Sequence, residues 1–116
     1  IDYSRYMDKL QALEALGALA HETRLEVFRL LVQAGPDGVP AGEIADALGV
    51  RQHTMSSHLA CLTRAALITK LRDGRVILYS ARYEGMRQLL LYLLEDCCGG
   101  DTEICAPIVE AMACAC

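Results

Sequence analysis

The stretch that decides the fold is residues 41–75, AGEIADALGV-RQHTMSSHLA-CLTRAALITK-LRDGR. Ile44, Ala45 and Leu48 recur at helical spacing and predict a short helix over 41–48. Gly49 follows directly. A glycine enters the left-handed region without steric cost, so the chain can turn tightly there into another helix. That next helix is predicted over 51–65, with Met55, Leu59 and Leu62 facing inward. Residues 68–71 and 76–81 read as two strands around Asp73-Gly74, a strong two-residue hairpin signal.

Working outward, Leu10, Leu13, Leu16 and Gly17 follow helical spacing and predict an amphipathic helix over 8–18. A second helix is predicted over 21–34, with Leu25, Phe28, Leu31 and Val32 on one face, and Gly35-Pro36-Asp37-Gly38 ends it. Downstream of the hairpin, a last helix is predicted over 83–96. Helix, helix, tight turn, helix, hairpin, helix is the order of a winged helix–turn–helix: a mainly α domain with a small β-hairpin. Residues 1–98 form this domain, and 99–116 are a cysteine-containing tail to which no secondary structure is assigned.

Size and charge support the reading. The chain has 116 residues, 53% of them apolar, which fits one domain with a real core but no second one. Its net charge is −4, unpromising for a nucleic-acid partner until its distribution is considered. Residues 51–87 carry seven of the 11 Lys and Arg (Arg51, Arg64, Lys70, Arg72, Arg75, Arg82, Arg87) against Asp73 and Glu84, a balance of +5. The remaining four basic and 13 acidic residues give −9. A basic segment inside an acidic protein suits a DNA-facing patch. No apolar run approaches the roughly 18–20 residues of a membrane span, and the N-terminus has no signal-peptide pattern, so a cytoplasmic protein is expected.

The DNA-reading residues follow from this geometry. The helix after Gly49 would lie in the major groove, with Gln52, His53, Ser56 and Ser57 on the face away from Met55, Leu59 and Leu62, and Arg51 at its entrance. Arg72 and Arg75 flank the hairpin tip, within reach of phosphates or an adjacent minor groove. Ser56 and Ser57 also read as ordinary solvent-facing residues, His58 as a half-buried hydrogen-bonding residue, and Arg64 as a counter-charge to the helix C-terminus.

These residues carry a resemblance. Leu19-Ala20-His21-Glu22-Thr23-Arg24-Leu25 is similar to an L-A-x-x-T-R-L opening. Thr54-Met55-Ser56-Ser57-His58-Leu59, with Leu62 and Ala65-Ala66-Leu67-Ile68, resembles S-x-H-L-x-x-L-x-x-A-G-L-V. Gly74-Arg75 with Tyr79 resembles a G-R-x-x-x-Y wing. Together they look like the ArsR/SmtB family of metal- and metalloid-sensing repressors, over about residues 8–98. The resemblance implies Thr54 among the DNA contacts, a homodimer built on the first and last helices, and an inverted-repeat operator. The run Leu89 to Leu94 agrees, since it is apolar all round its helix and one small domain cannot bury every side. Ala66 stands where the family usually has Gly; a positive φ there would cost about 1 kcal/mol.

Five of the six cysteines (Cys97, Cys98, Cys105, Cys114, Cys116) lie after residue 96, while Cys61 reads as a small core residue. Thiolates are soft ligands for thiophilic ions. No Cys occurs in 41–48 and no His in 83–96, where two of the family's metal sites would need them. A Cys-Cys pair ending the last helix, with a third Cys downstream, is similar to the arsenic-type site of some members. The resemblance therefore implies trivalent arsenic as inducer, with antimony or an organoarsenical as variants, held by Cys97, Cys98 and Cys105. Cys114 or Cys116 is the alternate third ligand, and one or both subunits are possible sources. The alternative is the same fold sensing another thiol input: oxidants, persulfides, cadmium, lead or zinc. A thiol enzyme is the remote case: it would want Cys-x5-Arg or Cys-x-x-Cys, yet Leu67 and Ile104 stand six residues past Cys61 and Cys98, and no Cys-x-x-Cys occurs. No enzymatic activity and no organic cofactor are expected.

Overall fold

The computed structural model describes residues 7–94, together with 106–107 and 110–111, which are helical and exposed. Within residues 7–94, five helices and three strands run in the order α1 (Lys9–Leu19), α2 (Glu22–Ala34), β1 (Val39–Pro40), α3 (Ala41–Leu48), α4 (Gln52–Arg64), β2 (Ile68–Asp73), β3 (Val76–Ala81) and α5 (Tyr83–Leu94). The strands form one antiparallel sheet in the order β1-β3-β2. This is the winged helix–turn–helix arrangement. No helix of the described residues is long and apolar enough to cross a membrane.

Local chemistry accounts for the boundaries. Asp8 caps α1 in a reciprocal box with Gln11, at 2.7 and 3.0 Å. His21 caps α2 through Nδ1, which accepts the Thr23 N–H at 3.2 Å. Helices α3 and α4 end in the same motif. After α3, the Gly49 N–H reaches Asp46 O and the Val50 N–H reaches Ala45 O. After α4, the Ala66 N–H reaches Thr63 O and the Leu67 N–H reaches Leu62 O. Both are Schellman closures, which require a left-handed residue just past the helix. Gly49 supplies it with φ 66°, and Ala66 must supply it with φ 61°.

The core holds Val27, Leu31, Ile44, Met55, Leu59, Leu62, Leu67 and Ile68, all at most 1% exposed. Among the described residues no polar or charged residue is fully buried. Burial on α1 differs from the sequence expectation. Ala12, Ala15 and Ala18 face inward, whereas Leu10, Leu13 and Leu16 are 68%, 58% and 39% exposed. Small residues let α1 approach its neighbours closely, and periodicity could not choose between two apolar faces of one helix. On α2, Val27 takes the buried place expected of Leu25, which is 45% exposed.

Two further differences concern the sheet. β1 was not anticipated: two residues are too short to show a period, and only pairing of Val39 with Tyr79 and Pro40 with Leu78 defines it. β2 runs on to Asp73, which pairs with Val76, so the loop residues are Gly74 and Arg75 and not Asp73 and Gly74. Gly74, the first of them, has φ 65° and Arg75 has no positive φ, as a type II′ hairpin requires. The last helix is described to Leu94. It docks where Gly85 passes under the turn after α4: a Cβ at Gly85 would collide with the Ala66 carbonyl oxygen. Arg82 N–H donates to Leu67 O at 2.8 Å in the same turn, and Tyr83 Oη–H donates to Val32 O at 3.4 Å.

Candidate nucleic-acid interface

The Schellman turn at Gly49 aims α4 away from α3, and the burial of Met55, Leu59 and Leu62 fixes its rotation. Arg51, Gln52, His53, Thr54, Ser56 and Ser57 are all exposed, Arg51 as the residue preceding the first turn. At about 100° per residue, His53, Ser57, Ala60 and Arg64 fall on one line opposite the core, with Ser56 beside them. Ala60 and Arg64 are also exposed, so the outward face runs the length of the helix. The sequence reading stopped at Ser57, although the spacing from His53 onward carried the signal.

Gln52 is exposed but turned toward α3. A Cβ placed at Gly42 would stand 3.1 Å from its Nε2, so the amide lies over the first turn of α3. The polar groups projecting straight outward are therefore those of His53, Ser56 and Ser57. None of these three makes a side-chain hydrogen bond among the described residues.

The wing supplies charge. Arg72 and Arg75 are exposed at its tip, and Lys70 follows Arg72 along the same strand face, opposite Tyr79. Thr69 and Ser80 tie the two strands together on the other face at 3.1 Å. Among the described residues the ion pair is Arg87 with Glu84 at 3.2 Å, within α5 and exposed. Arg51, Lys70, Arg72 and Arg75 make none there, which leaves four exposed cations without a carboxylate partner among the described residues. Such groups suit phosphate contacts, which position a protein on the duplex without reading sequence.

His58 and Cys61 lie on other flanks of α4. The His58 ring is half-buried against His21, with centroids 4.6 Å apart, and its Nδ1 has no partner among the described residues. Half-burial agrees with the sequence reading, but the expected hydrogen bond is not found there. Burial first, then the nearby His21 and Arg24, hold its pKa below the ordinary imidazole value. Cys61 is half-buried at the edge of the core, where with Glu14, Ala18, Arg64 and Ala65 it lines an open cleft. Cys97, Cys98, Cys105, Cys114 and Cys116 lie outside the described residues. Among the described residues no three His, Cys, Asp or Glu side chains are grouped to hold a metal.

Known proteins share this arrangement. The helix-turn-helix domain family matches residues 19–70. The HTH-type transcriptional regulator YgaV of Escherichia coli is 33% identical over 88 residues, spanning 76% of this chain and 87% of that protein. A Halobacterium salinarum protein, named as a candidate arsenical resistance operon repressor ArsR, is 37% identical over 78 residues, 64% of this chain and 60% of that protein. Among solved structures, the homodimeric winged helix–turn–helix DNA-binding domain of a possible ArsR-family regulator from Mycobacterium bovis superposes with a TM-score of 0.61 at 28% identity. It covers 72% of this chain and 76% of that one.

Proposed function

Because this chain belongs to the ArsR/SmtB family of helix–turn–helix transcriptional regulators, we propose that it is a homodimeric repressor released from its operator by trivalent arsenic bound to its C-terminal cysteines. That it is a DNA-binding regulator and not an enzyme follows from the family. The observation carrying the finer reading is the adjacent Cys97-Cys98 pair, which follows in sequence three residues after Leu94, the last residue of α5, a helix on which Leu91 and Leu93 are exposed.

The dimer reading is supported by exposed apolar side chains on two helices that touch each other. Leu10, Leu13 and Leu16 of α1 and Leu91 and Leu93 of α5 are between 36% and 68% exposed, a cost that a second subunit would remove. Two copies related by a two-fold axis would present two α4 helices to an inverted repeat, with His53, Thr54, Ser56 and Ser57 toward the bases and Arg51, Arg72 and Arg75 toward phosphates.

The inducer reading follows from the chemistry of the tail. Free thiols near neutral pH are mostly protonated, with pKa about 8.5. Arsenous acid exchanges three hydroxyls for three thiols and releases three waters, leaving a neutral product. Cys97, Cys98 and Cys105 supply those thiols, with Cys114 or Cys116 able to replace the third. Binding adds no charge, so it must act on DNA affinity through geometry: drawing the 99–116 segment onto the end of α5 resets the angle between the two α4 helices. Inducer and operator then weaken each other's binding by the same factor, typically 5–150-fold.

The test is operator binding by the full chain, titrated with arsenite, antimonite, cadmium, zinc and peroxide, and repeated with Cys97→Ser. Arsenite should release wild-type protein and not the variant. Stoichiometric arsenite binding without loss of operator affinity would refute the inducer assignment. A second reading is favoured by the count of thiols: five lie after residue 96 and a three-sulfur site uses three. If peroxide or a persulfide donor releases DNA and a reductant restores it, the tail is a redox sensor; a chelator restoring it identifies cadmium, lead or zinc.

A further inference from the structure

The N-terminus of α2 meets α4 at a pair of imidazoles. The rings of His21 and His58 are 4.6 Å apart at their centroids and tilted by 49°. His21 is already committed: its Nδ1 accepts the Thr23 N–H that caps α2, so its neutral form carries the proton on Nε2. His58 presents a buried Nδ1 that finds no partner among the described residues. Arg24, one turn into α2, is fixed nearby by Nε–H donating to the Ala18 carbonyl at 2.7 Å.

Everything acting on the His58 ring disfavours a positive charge. α4 packs against α1, α2, α3 and β2. The groups that bear on the ring are His21 and Arg24, and both push it toward the neutral form, as does its burial. The other charged groups on these elements, Lys9 of α1, Glu22, Glu26 and Arg29 of α2, Glu43 and Asp46 of α3, and Lys70, Arg72 and Asp73 of β2, make no hydrogen bond to the buried His58 Nδ1 among the described residues. Glu14 of α1 lies in the cleft with Cys61 and Arg64. The N-terminus of α2 adds the positive end of a helix dipole.

We infer that the His21–His58 pair is an acid-sensitive latch: adding a proton to His58 sets a cation against Arg24 and the positive end of α2, loosens the seat of α4, and lowers operator affinity. The inference rests on α4 being the helix that enters the major groove. Unlike the thiol tail, the latch needs no second ligand and responds to pH alone.

The test uses the full chain and a DNA fragment carrying its own promoter, at pH 7.5, 6.5 and 5.5 and constant salt. Wild type is compared with His58→Gln under the same conditions, so that pH effects arising elsewhere on the DNA-facing surface are common to both. Affinity should fall about three- to tenfold from pH 7.5 to 5.5, the low end of the coupling typical of linked sites. His58→Gln should flatten the profile; an unchanged fall in that variant overturns the latch. A DNA-free measurement stands beside it: the His58 ring protons, followed by NMR in wild-type protein, should titrate below about 6.5, and titration at or above that value overturns the latch as well. Absence of promoter binding at pH 7.5 would instead refute the repressor reading, and the NMR titration would still decide the state of the pair.

Discussion

At the scale of single residues, Ala66 and Gly85 are coupled through one carbonyl. Ala66 holds φ 61° to close α4, a conformation that costs an L-residue about 1–2 kcal/mol, while its oxygen lies where a side chain at position 85 would go. Ala66→Gly should therefore raise stability by about 0.5–1 kcal/mol, after allowing for the greater freedom glycine has when unfolded. Denaturant or thermal unfolding measures it, and a loss of stability would show that the strain is relieved elsewhere. Gly85→Ala should act in the opposite direction, by about 1–3 kcal/mol, because the obstacle is backbone and cannot swing aside. His58 makes stability depend on pH. Above about 6.5 both folded and unfolded chains hold it neutral. As pH falls through that value the unfolded chain takes up a proton that the folded one resists, so this contribution is lost from about 6.5 down toward the lowered folded value. Thermal midpoints of wild type and His58→Gln should converge on acidification, and parallel curves would exclude it.

At the scale of elements, the proposed complex divides the work of binding between α4 and the wing. Short polar groups on the outward face of α4 would discriminate between base edges, and the wing arginines, which pair with no carboxylate among the described residues, would follow the phosphate chain. Arg72→Ala and Arg75→Ala should each weaken binding about equally on operator and unrelated DNA, and each should reduce the slope of log affinity against log salt by about 1. Replacing Ser56 and Ser57 together by Ala should instead reduce the preference for operator and leave the salt slope unchanged. Competition binding with specific and random duplexes separates the two patterns. If the wing arginines altered sequence preference and not the salt slope, the division would be reversed.

At the scale of the whole molecule, Leu10, Leu13 and Leu16 of α1 are exposed, as are Leu91 and Leu93 of α5. A buried leucine contributes about 1.5–3 kcal/mol, so Leu13→Glu with Leu93→Glu should weaken self-association by at least about 100-fold and leave the monomer folded. Sedimentation measures the first and circular dichroism the second. Operator affinity should fall with the dimer, since a single α4 reads half a site; a monomeric wild-type protein that still binds its operator tightly would remove the dimer from the account.

The element order, the Gly49 turn, the α4 core triad and the cationic wing were legible in residue types and spacing, because each depends on contacts within a few positions along the chain. The β1 strand was not legible, nor was the choice of face on α1, since both depend on partners distant in sequence: β3 for the one, close helix packing for the other. The turning of Gln52 toward Gly42 and the meeting of His21 with His58 likewise arise only when separate helices are brought together. Sequence by itself determined which elements form and where charge and thiols gather. The tertiary structure decided which surfaces are left uncovered, because burial is a property of the packed chain and not of any one helix.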